Sequence, residues 1–276
     1  YDNDGHLDIL VLRGAWLREA GKHPNSLLKN MGDGTFQDVT KSANLLSYHP
    51  TQTASWGDFN NDGHIDLFIG NEHKKNDPHR SELFRNNGDG TFTEVGVEYG
   101  LGFYAYIKSV AWGDINNDGR LDLYISRLGG ENKLFRNDGS FFSEISITAG
   151  VQYPLRSFPF WFWDVNHDGW QDLLVLPYDI SSPGAAGNYV LDIQGKEFSS
   201  ERPKLYINNQ DETFTESAES YGLTKSMAAM GANFGDLDND GFLDFYVGTG
   251  TPLFQDIVPN RMFRNVGGER FEEVTS

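Results

Sequence analysis

Short apolar runs alternate along the chain with turns rich in Gly, Asn and Asp, and the same order of runs returns five times. In one unit the apolar runs are residues 54–57, 67–70, 83–86 and 92–95. Runs of about four residues with β-branched and aromatic side chains, bounded by turn residues, are typical of strands and too short for helices. Each unit therefore predicts a sheet of four strands.

The turn between the first two strands is an acidic loop with a fixed order of residues. Residues 58–66 carry Asp at positions one, five and nine, Asn at three and four, and Gly at six, where a sharp turn is needed. Related loops occupy residues 114–122, 164–172 and 236–244. Residues 1–8 form a copy without the leading Asp, which predicts that the sequence begins inside a repeat.

A second motif follows each loop and consists of an apolar or aromatic pair, often a basic residue, then Asn and a turn that is usually rich in Gly. It spans residues 83–92, with counterparts at 28–36, 135–141, 206–214 and 263–271. Turn residues that tolerate positive φ, placed between two alternating runs, predict a tight β-hairpin. The third and fourth strands of each unit are therefore expected to pair.

Repeats of roughly 40–50 residues with four strands each are typical of β-propellers, whose blades need neighbours to bury their faces. We predict an all-β fold, a β-propeller of four-stranded blades, as a single region over residues 1–276. Trp163 stands where residues 57, 113 and 235 are Gly, which predicts a distorted or more exposed fourth blade. The repeats are approximately residues 1–52, 53–108, 109–158, 159–230 and 231–276.

The composition and net charge of the chain argue against several classes of binding partner and site. A net charge of −18 and a pI near 4.6 argue against binding to nucleic acid or to an anionic membrane, whose phosphates would be repelled. The absence of cysteine excludes disulfides, thiolate metal sites and a cysteine nucleophile. The sequence has no apolar run of about 18 residues, the length that a membrane span needs, so no direct membrane insertion is expected.

The acidic loops predict calcium sites, because side-chain oxygens at positions one, three, five and nine and the carbonyl at seven supply hard oxygen ligands. We expect about four to five Ca²⁺ ions, with the shortened first loop the least certain to be filled. The carbonyl ligands are those of His6, His64, Arg120, Trp170 and Phe242. The side-chain ligands are Asp2, Asp4 and Asp8; Asp58, Asn60, Asp62 and Asp66; Asp114, Asn116, Asp118 and Asp122; Asp164, Asn166, Asp168 and Asp172; and Asp236, Asp238, Asp240 and Asp244.

The alternative for each loop is a solvent-exposed turn without metal. That alternative leaves three or four oxyanions within a few ångströms of one another, which raises their pKa values by mutual repulsion. The loops differ from an EF-hand at position twelve, where that motif has Glu and this chain has Ile69, Ile125, Val175 and Val247.

These loops, set between predicted blade strands, resemble the FG-GAP/VCBS repeats of integrin α-subunit propellers. Residues 233–241 and 260–265 are similar to the cartilage acidic protein-like branch, whose members often continue into an ASPIC/UnbV domain. The resemblance implies a ring of usually seven blades, calcium on the loop face, and secreted, extracellular or periplasmic residence. Five repeats then predict part of a larger ring, truncated at both ends, or a five-bladed variant.

For function, the resemblance implies adhesion or matrix contact, and we expect a calcium-binding module for an extracellular protein or glycan ligand. Two alternatives remain: an accessory propeller of a polysaccharide-degrading enzyme and a structural spacer. His73 and His79 lie among charged residues, yet no convergent catalytic set is recognisable, so no enzyme activity is predicted. The irregular connections, where recognition residues would lie, are residues 14–26, 71–81, 127–132, 177–203 and 248–260.

Overall fold

In the computed structural model, residues 1–251 and 253–275 are described. Pro252, within the connection 248–260, and Ser276, the last residue of the fifth repeat, lie outside the described residues. The strands are β1 (Ile9–Val11), β2 (Ser26–Asn30), β3 (Phe36–Asp38), β4 (Thr51–Gly57), β5 (Asp66–Asn71), β6 (Glu82–Asn86), β7 (Phe92–Glu94), β8 (Ile107–Gly113), β9 (Asp122–Arg127), β10 (Lys133–Asn137), β11 (Phe142–Glu144), β12 (Ser157–Trp163), β13 (Asp172–Pro177), β14 (Lys204–Asn208), β15 (Phe214–Glu216), β16 (Ala229–Gly235), β17 (Asp244–Thr249), β18 (Arg261–Val266) and β19 (Arg270–Glu273).

The strands form five separate sheets, one for each predicted repeat. The first has the order β1-β2-β3, and the other four are β4-β5-β6-β7, β8-β9-β10-β11, β12-β13-β14-β15 and β16-β17-β18-β19. Each sheet follows chain order, so every strand pairs with the next one along the chain, across either a short turn or a longer connection such as the one between β13 and β14. The all-β prediction and the four-stranded unit are confirmed, with an acidic loop joining the first two strands of each complete sheet.

Two α-helices, α1 (Ser146–Ala149) and α2 (Gly184–Ile193), and two short 3-10 helices, Arg18–Gly21 and Phe254–Asp256, lie in the connections. The sequence predicted only an irregular segment where α2 forms, inside residues 177–203. No helix within the described ranges has the length and apolarity needed to cross a bilayer.

The second strand is buried on both faces in three of the four complete sheets, at β5, β9 and β13, whereas Tyr246 in β17 is 44% exposed. Every residue of β5 is buried, and Leu67 and Ile69 pack with Phe84 and Leu27 while Phe68 packs toward the next sheet. Since side chains alternate between the two faces of a strand, one strand supplies two hydrophobic layers. This is why its sequence is a continuous apolar run and not an alternation.

The chain forms two compact units, residues 1–114, 118–125 and 134–144, and residues 115–117, 126–133 and 145–276. In the first unit β4 packs against β8, and the ring of Trp112 leaves no room for a side chain at Gly57. In the second unit β12 packs against β16 over a core that includes Leu174, Val247 and Phe263.

Trp163 corrects one expectation. It pairs with Asp172 in the register that Gly57 has with Asp66, and it is only 7% exposed. Its ring packs against Phe245 and Phe271, so it fills the space between two sheets. The prediction of a distorted or exposed fourth blade was wrong because the neighbouring sheet accommodates the indole ring.

Candidate metal centre

The five acidic loops share a backbone that is set by two left-handed residues. Position four has φ between +54° and +59° in all five, at Asn3, Asn61, Asn117, His167 and Asn239. The glycine at position six has φ between +82° and +93°. Asn tolerates this region and Gly prefers it, so the loop sequence encodes its own turn.

The aspartate at position one closes the loop. In the second loop Asp58 accepts the N–H of Asp62 at 3.1 Å and that of Gly63 at 2.8 Å, one on each carboxylate oxygen. Asp114, Asp164 and Asp236 accept the equivalent pairs of N–H groups in the third, fourth and fifth loops. These bonds hold the carboxylate at the loop's concave side, where a cation ligand is needed.

The aspartate at position five accepts a hydrogen bond from the backbone N–H two residues later. Asp62 accepts the N–H of His64 at 2.9 Å, and Asp168 does the same for Trp170. The Asn at position three adds its side-chain oxygen to the same turn, as Asn60 and Asn166 each accept the N–H of position five at 3.1 Å. Positions one, three and five therefore converge, as the calcium prediction requires.

Position nine has a second role that the sequence did not reveal. Asp66 is fully buried, and its two oxygens accept N–H groups from Phe59 at 3.1 Å and Asn86 at 2.8 Å. Asp172 and Asp244 bind the matching N–H groups of their own loops and hairpins. This carboxylate joins the acidic loop to the third strand of the sheet, and each oxygen retains a lone pair for a metal.

Burial has an electrostatic consequence at position nine. The pKa of Asp66 is raised to about 7 and that of Asp172 to about 6, mainly by burial and to a smaller extent by the carboxylates at positions one and five. Backbone N–H donors oppose the shift in part. A divalent cation at the same place would favour the ionised form.

The fifth loop gives the most direct geometric support for a cation. Carboxylate oxygens of Asp236, Asp238 and Asp244 lie within 4.8 Å of one another. Asp238 stands where the second, third and fourth loops have Asn, so this loop has one more negative charge. The donor set consists of hard oxygens and fits Ca²⁺.

The first loop is different, because a side chain supplies its positive charge. The ammonium group of Lys29 pairs with Asp2 and lies 3.3 Å from Asp4. The two carboxylates raise the pKa of Lys29, the hydrogen bond to Asp2 contributing most. In the third loop the guanidinium of Arg120 lies 2.5 Å from the second oxygen of Asp118. Asp2, Asp4, His6 and Asp8 remain predicted ligands, in a loop that already holds a cation.

Neighbouring loops are linked to one another. The position-four side chains of Asn3, Asn61 and Asn117 donate to the carbonyls of Gly63, Gly119 and Gly169 in the following loop, at 2.8–3.1 Å. At the fourth loop the link is a ring stack, with His167 and Phe242 centroids 4.2 Å apart and planes 9° from parallel. Within each unit, consecutive loops are therefore in direct contact.

A hairpin asparagine makes a second link between repeats. The side-chain N–H groups of Asn86, Asn137, Asn208 and Asn265 donate to the position-two carbonyl of another repeat's loop, in Tyr1, Phe59, Ile115 and Val165. The four residues are almost fully buried. From the sequence, this Asn was assigned only to a hairpin. Its recurrence after every acidic loop was the signal that could have indicated its role in linking repeats.

The repeats match a known family of sequences. The model of the FG-GAP-like repeat matches residues 1–69, 58–125 and 164–247. Cartilage acidic protein 1 of Xenopus tropicalis is 32% identical over 119 residues, and the human protein is also 32% identical over the same length. These matches cover 41% of this chain but only 18% and 17% of the two relatives.

Among solved structures, the biofilm matrix protein Bap1 of V. cholerae aligns over 100% of this chain and 38% of its own, with a TM-score of 0.49 and 12% identity. The repeat model covers well over half of the residues. The chain therefore belongs to the FG-GAP-like repeat family.

Proposed function

We propose that this chain is a calcium-stabilised extracellular recognition module, whose sheets are blades of a β-propeller and whose ligand is a protein or a glycan. The carrying observation is the acidic loop itself, in which side chains at positions one, three and five converge and position nine is buried beside them. Family membership supports the proposal. Secreted or periplasmic residence belongs to it as well.

Bound calcium would make the acidic loops rigid and would not take part in a reaction. Asp58, Asn60, Asp62 and Asp66, with the carbonyl of His64, would hold one ion in the second loop, and the third, fourth and fifth loops have equivalent residues. A cation bound to the folded loop and not to the unfolded chain contributes its binding energy to folding. The loop-to-loop hydrogen bonds would carry that rigidity from one repeat to the next.

The propeller arrangement rests on the sheets. Four of the five are four-stranded and follow chain order, and the first strands β4 and β8 pack against each other in the first unit, as β12 and β16 do in the second. A propeller places such first strands around its axis and leaves the long connections at one face. We propose that the ligand binds there, at the ends of the strands remote from the acidic loops.

The test of calcium is a count of bound ions by mass spectrometry after equilibration with Ca²⁺ and removal of free metal. Asp62→Ala, Asp118→Ala and Asp238→Ala should each lose one ion. Asp238→Ala is the most informative, since it removes the position-three oxygen and Asp238 accepts no hydrogen bond from its own loop backbone among the described residues. Asp211→Asn is the control, because this exposed aspartate only holds Thr213 in a hairpin turn. An unchanged ion count in all three variants would refute the calcium sites.

Recognition needs a separate test. The folded, calcium-loaded chain should bind components of an array of glycans and extracellular-matrix proteins, and EDTA should abolish that binding. Failure of the folded protein to bind anything in calcium would overturn the recognition role and favour a structural spacer.

A further inference from the structure

An exposed tryptophan is held in a constrained backbone near the start of the chain. Trp16 has φ +68°, which is rare for an aromatic residue, yet its side chain is 41% exposed. The loop that carries it is closed at its base by Gly14 and Gly21, whose backbones meet so closely that a Cβ on either would lie 1.9 or 2.2 Å from the other's carbonyl oxygen. Strained residues persist where the surroundings hold them, and such places are often functional.

A buried ion pair lies beneath this tryptophan. Glu72 accepts the backbone N–H of Trp16 at 2.8 Å and pairs with the ammonium of Lys108, and the two charged residues are 3% and 1% exposed. The ammonium nitrogen lies 3.4 Å from the centroid of the Trp16 ring and 4.1 Å from that of Tyr106. Burying two charges is costly, so the pair is better explained as a positioning device than as a source of stability.

The indole ring is fixed by contacts on a face and at an edge. Lys108 lies over a face of the ring and Tyr106 meets it edge-on, with centroids 6.3 Å apart. The side chain is nevertheless 41% exposed, so part of its surface faces solvent. A fixed aromatic face of this kind suits the apolar face of a sugar ring.

Next to Trp16 lies a cleft of about 480 Å³. Leu17 and Ala20 form its apolar wall, and Lys74, Lys75 and Asn76 line the polar side. Lys74 also lies 5.3 Å from the Tyr106 centroid, so the rings and the cleft adjoin.

The charges of the cleft are unusual for so acidic a chain. Asp77 is paired with Lys22 at 2.6 Å, whereas neither Lys74 nor Lys75 has an ion-pair partner among the side chains that the structure describes. Glu19 is the remaining acidic residue of the lining. Two lysines without carboxylate partners, beside a fixed aromatic ring, provide complementary charge for a carboxylated sugar.

We propose that this cleft binds an acidic oligosaccharide, with Lys74 and Lys75 contacting uronate carboxylates and Trp16 stacking on a sugar ring. The inference rests on the proposed recognition function and names the class of ligand. Binding would weaken at high salt, because both lysines are solvent-accessible. Glu19 opposes the ligand's charge and limits its affinity.

The experiment is calorimetric titration of the calcium-loaded chain with a hyaluronan hexasaccharide and with its methyl ester, in which the carboxylates are uncharged. The acid form should bind, and the ester should bind at least about tenfold more weakly. Trp16→Ala and the double variant Lys74→Ala/Lys75→Ala should each weaken binding by roughly tenfold or more. Glu19→Gln should strengthen binding.

Two exposed residues elsewhere serve as matched controls. Tyr48→Ala and Lys41→Ala remove an aromatic ring and a lysine from outside the cleft, and binding should be unchanged. Melting curves confirm that each variant is folded, and the surface lysine variants test the cleft even if Trp16→Ala disturbs its loop.

Three results would overturn the cleft assignment: no binding of the acid form at millimolar concentration, equal binding of the ester, or full binding by the lysine double variant. If such a result came together with calcium-dependent binding on the array, only the cleft assignment would be refuted and the recognition function would be supported. If the ion count were unchanged in the loop variants while the hexasaccharide bound through Trp16, the calcium sites would be refuted and the cleft assignment supported.

Discussion

Single carboxylates and amides connect parts of this molecule that are distant in sequence. Asp172 is an example, since one oxygen binds the N–H of Val165 in its loop and the other binds Asn208 in the hairpin. Asn208 in turn donates to the carbonyl of Ile115. Two buried polar residues thus bring together two acidic loops and a strand.

Replacement of Asn208 by Ala should destabilise the protein by about 1–3 kcal/mol, because the buried carbonyls of Ile115 and Gln171 would lose their donor. Asn209→Ala is the matched control: its side chain is exposed and bonds only Thr213 and Thr215 in the same turn. Chemical denaturation measures both. Equal losses in the two variants would contradict the linking role of Asn208.

A histidine pair predicts an effect of pH. His49 and His79 share a hydrogen bond of 2.8 Å between their Nδ1 atoms. Burial lowers the pKa of His49, and the charges of His79 and Arg80 lower it further. The other charged groups around the pair are Asp77, Lys22 and Glu82.

Because the pKa of His49 is lower in the folded protein than the ordinary 6.5, the unfolded chain takes up more protons as pH falls through that value. The contribution of His49 to stability is therefore present above pH 6.5 and lost below it. The melting temperature of the wild type should approach that of His49→Asn as pH falls from 7.5 to about 5.5. His23→Asn, at an exposed position, is the control variant, and a difference for His49→Asn that widens as pH falls would show the opposite sign.

At the scale of elements, the long connection between β13 and β14 is fixed by one arginine. Arg261 in β18 is 2% exposed and donates to Asp192 at the end of α2 and to Glu273 in β19, both at 2.7 Å. Its guanidinium also lies 5.0 Å from the Tyr189 ring centroid. The helix is thereby attached to the fifth sheet.

Arg261→Met should cost up to about 3–5 kcal/mol, since it removes the nearest cation from the largely buried Asp192, which keeps Lys225 at 3.7 Å and the N–H of Ser226. Arg264→Met on the same strand removes exposed pairs with Glu272 and Asp238, which solvent screens, so it should lower stability much less than Arg261→Met does. Thermal denaturation compares the two, and protease cleavage within 184–193 reports whether α2 has detached. A loss for Arg261→Met no larger than for Arg264→Met would show that the insert is held elsewhere.

Elements with repeated patterns were predictable and single insertions were not. The strands at 67–70 and 83–86 were expected from apolar runs, and the structure extends them only to Asp66–Asn71 and Glu82–Asn86. Helix α2 was missed because its apolar side chains occur once, within a segment of Gly, Ser and Pro. Its stability comes from tertiary partners such as Arg261, which no local pattern reveals.

The same limit applied to the sites. Fixed spacing identified the loop positions, because alternate residues of a tight turn converge wherever the turn is placed. The second bond of Asp66 to Asn86, and the pairing of Lys29 with Asp2 and Asp4, depend on how strands come together in space. The position of Trp16 likewise depends on Glu72 and Lys108, which are 36 residues apart in the sequence.

At the scale of the whole molecule, the net charge of −18 opposes compactness. Many of its acidic residues lie in the acidic loops, and in the fifth loop carboxylate oxygens of Asp236, Asp238 and Asp244 lie within 4.8 Å of one another. About four to five Ca²⁺ ions would supply about eight to ten positive charges at those points. Calcium binding would therefore cancel about half of the net charge.

Removal of calcium with EDTA should therefore lower the melting temperature substantially. Each ion that binds only the folded state, at a free concentration 100 times its dissociation constant, contributes about 2.7 kcal/mol. Several such sites together stabilise the fold more than screening of surface charge by salt can. Addition of 0.5 M NaCl to the EDTA-treated protein should therefore restore only part of the lost melting temperature. Mg²⁺ should also restore little, because it demands a smaller octahedral site and gives up its water reluctantly. Complete recovery in NaCl alone would mean that calcium acts through net charge, and the loops would then be acidic turns without a specific ion.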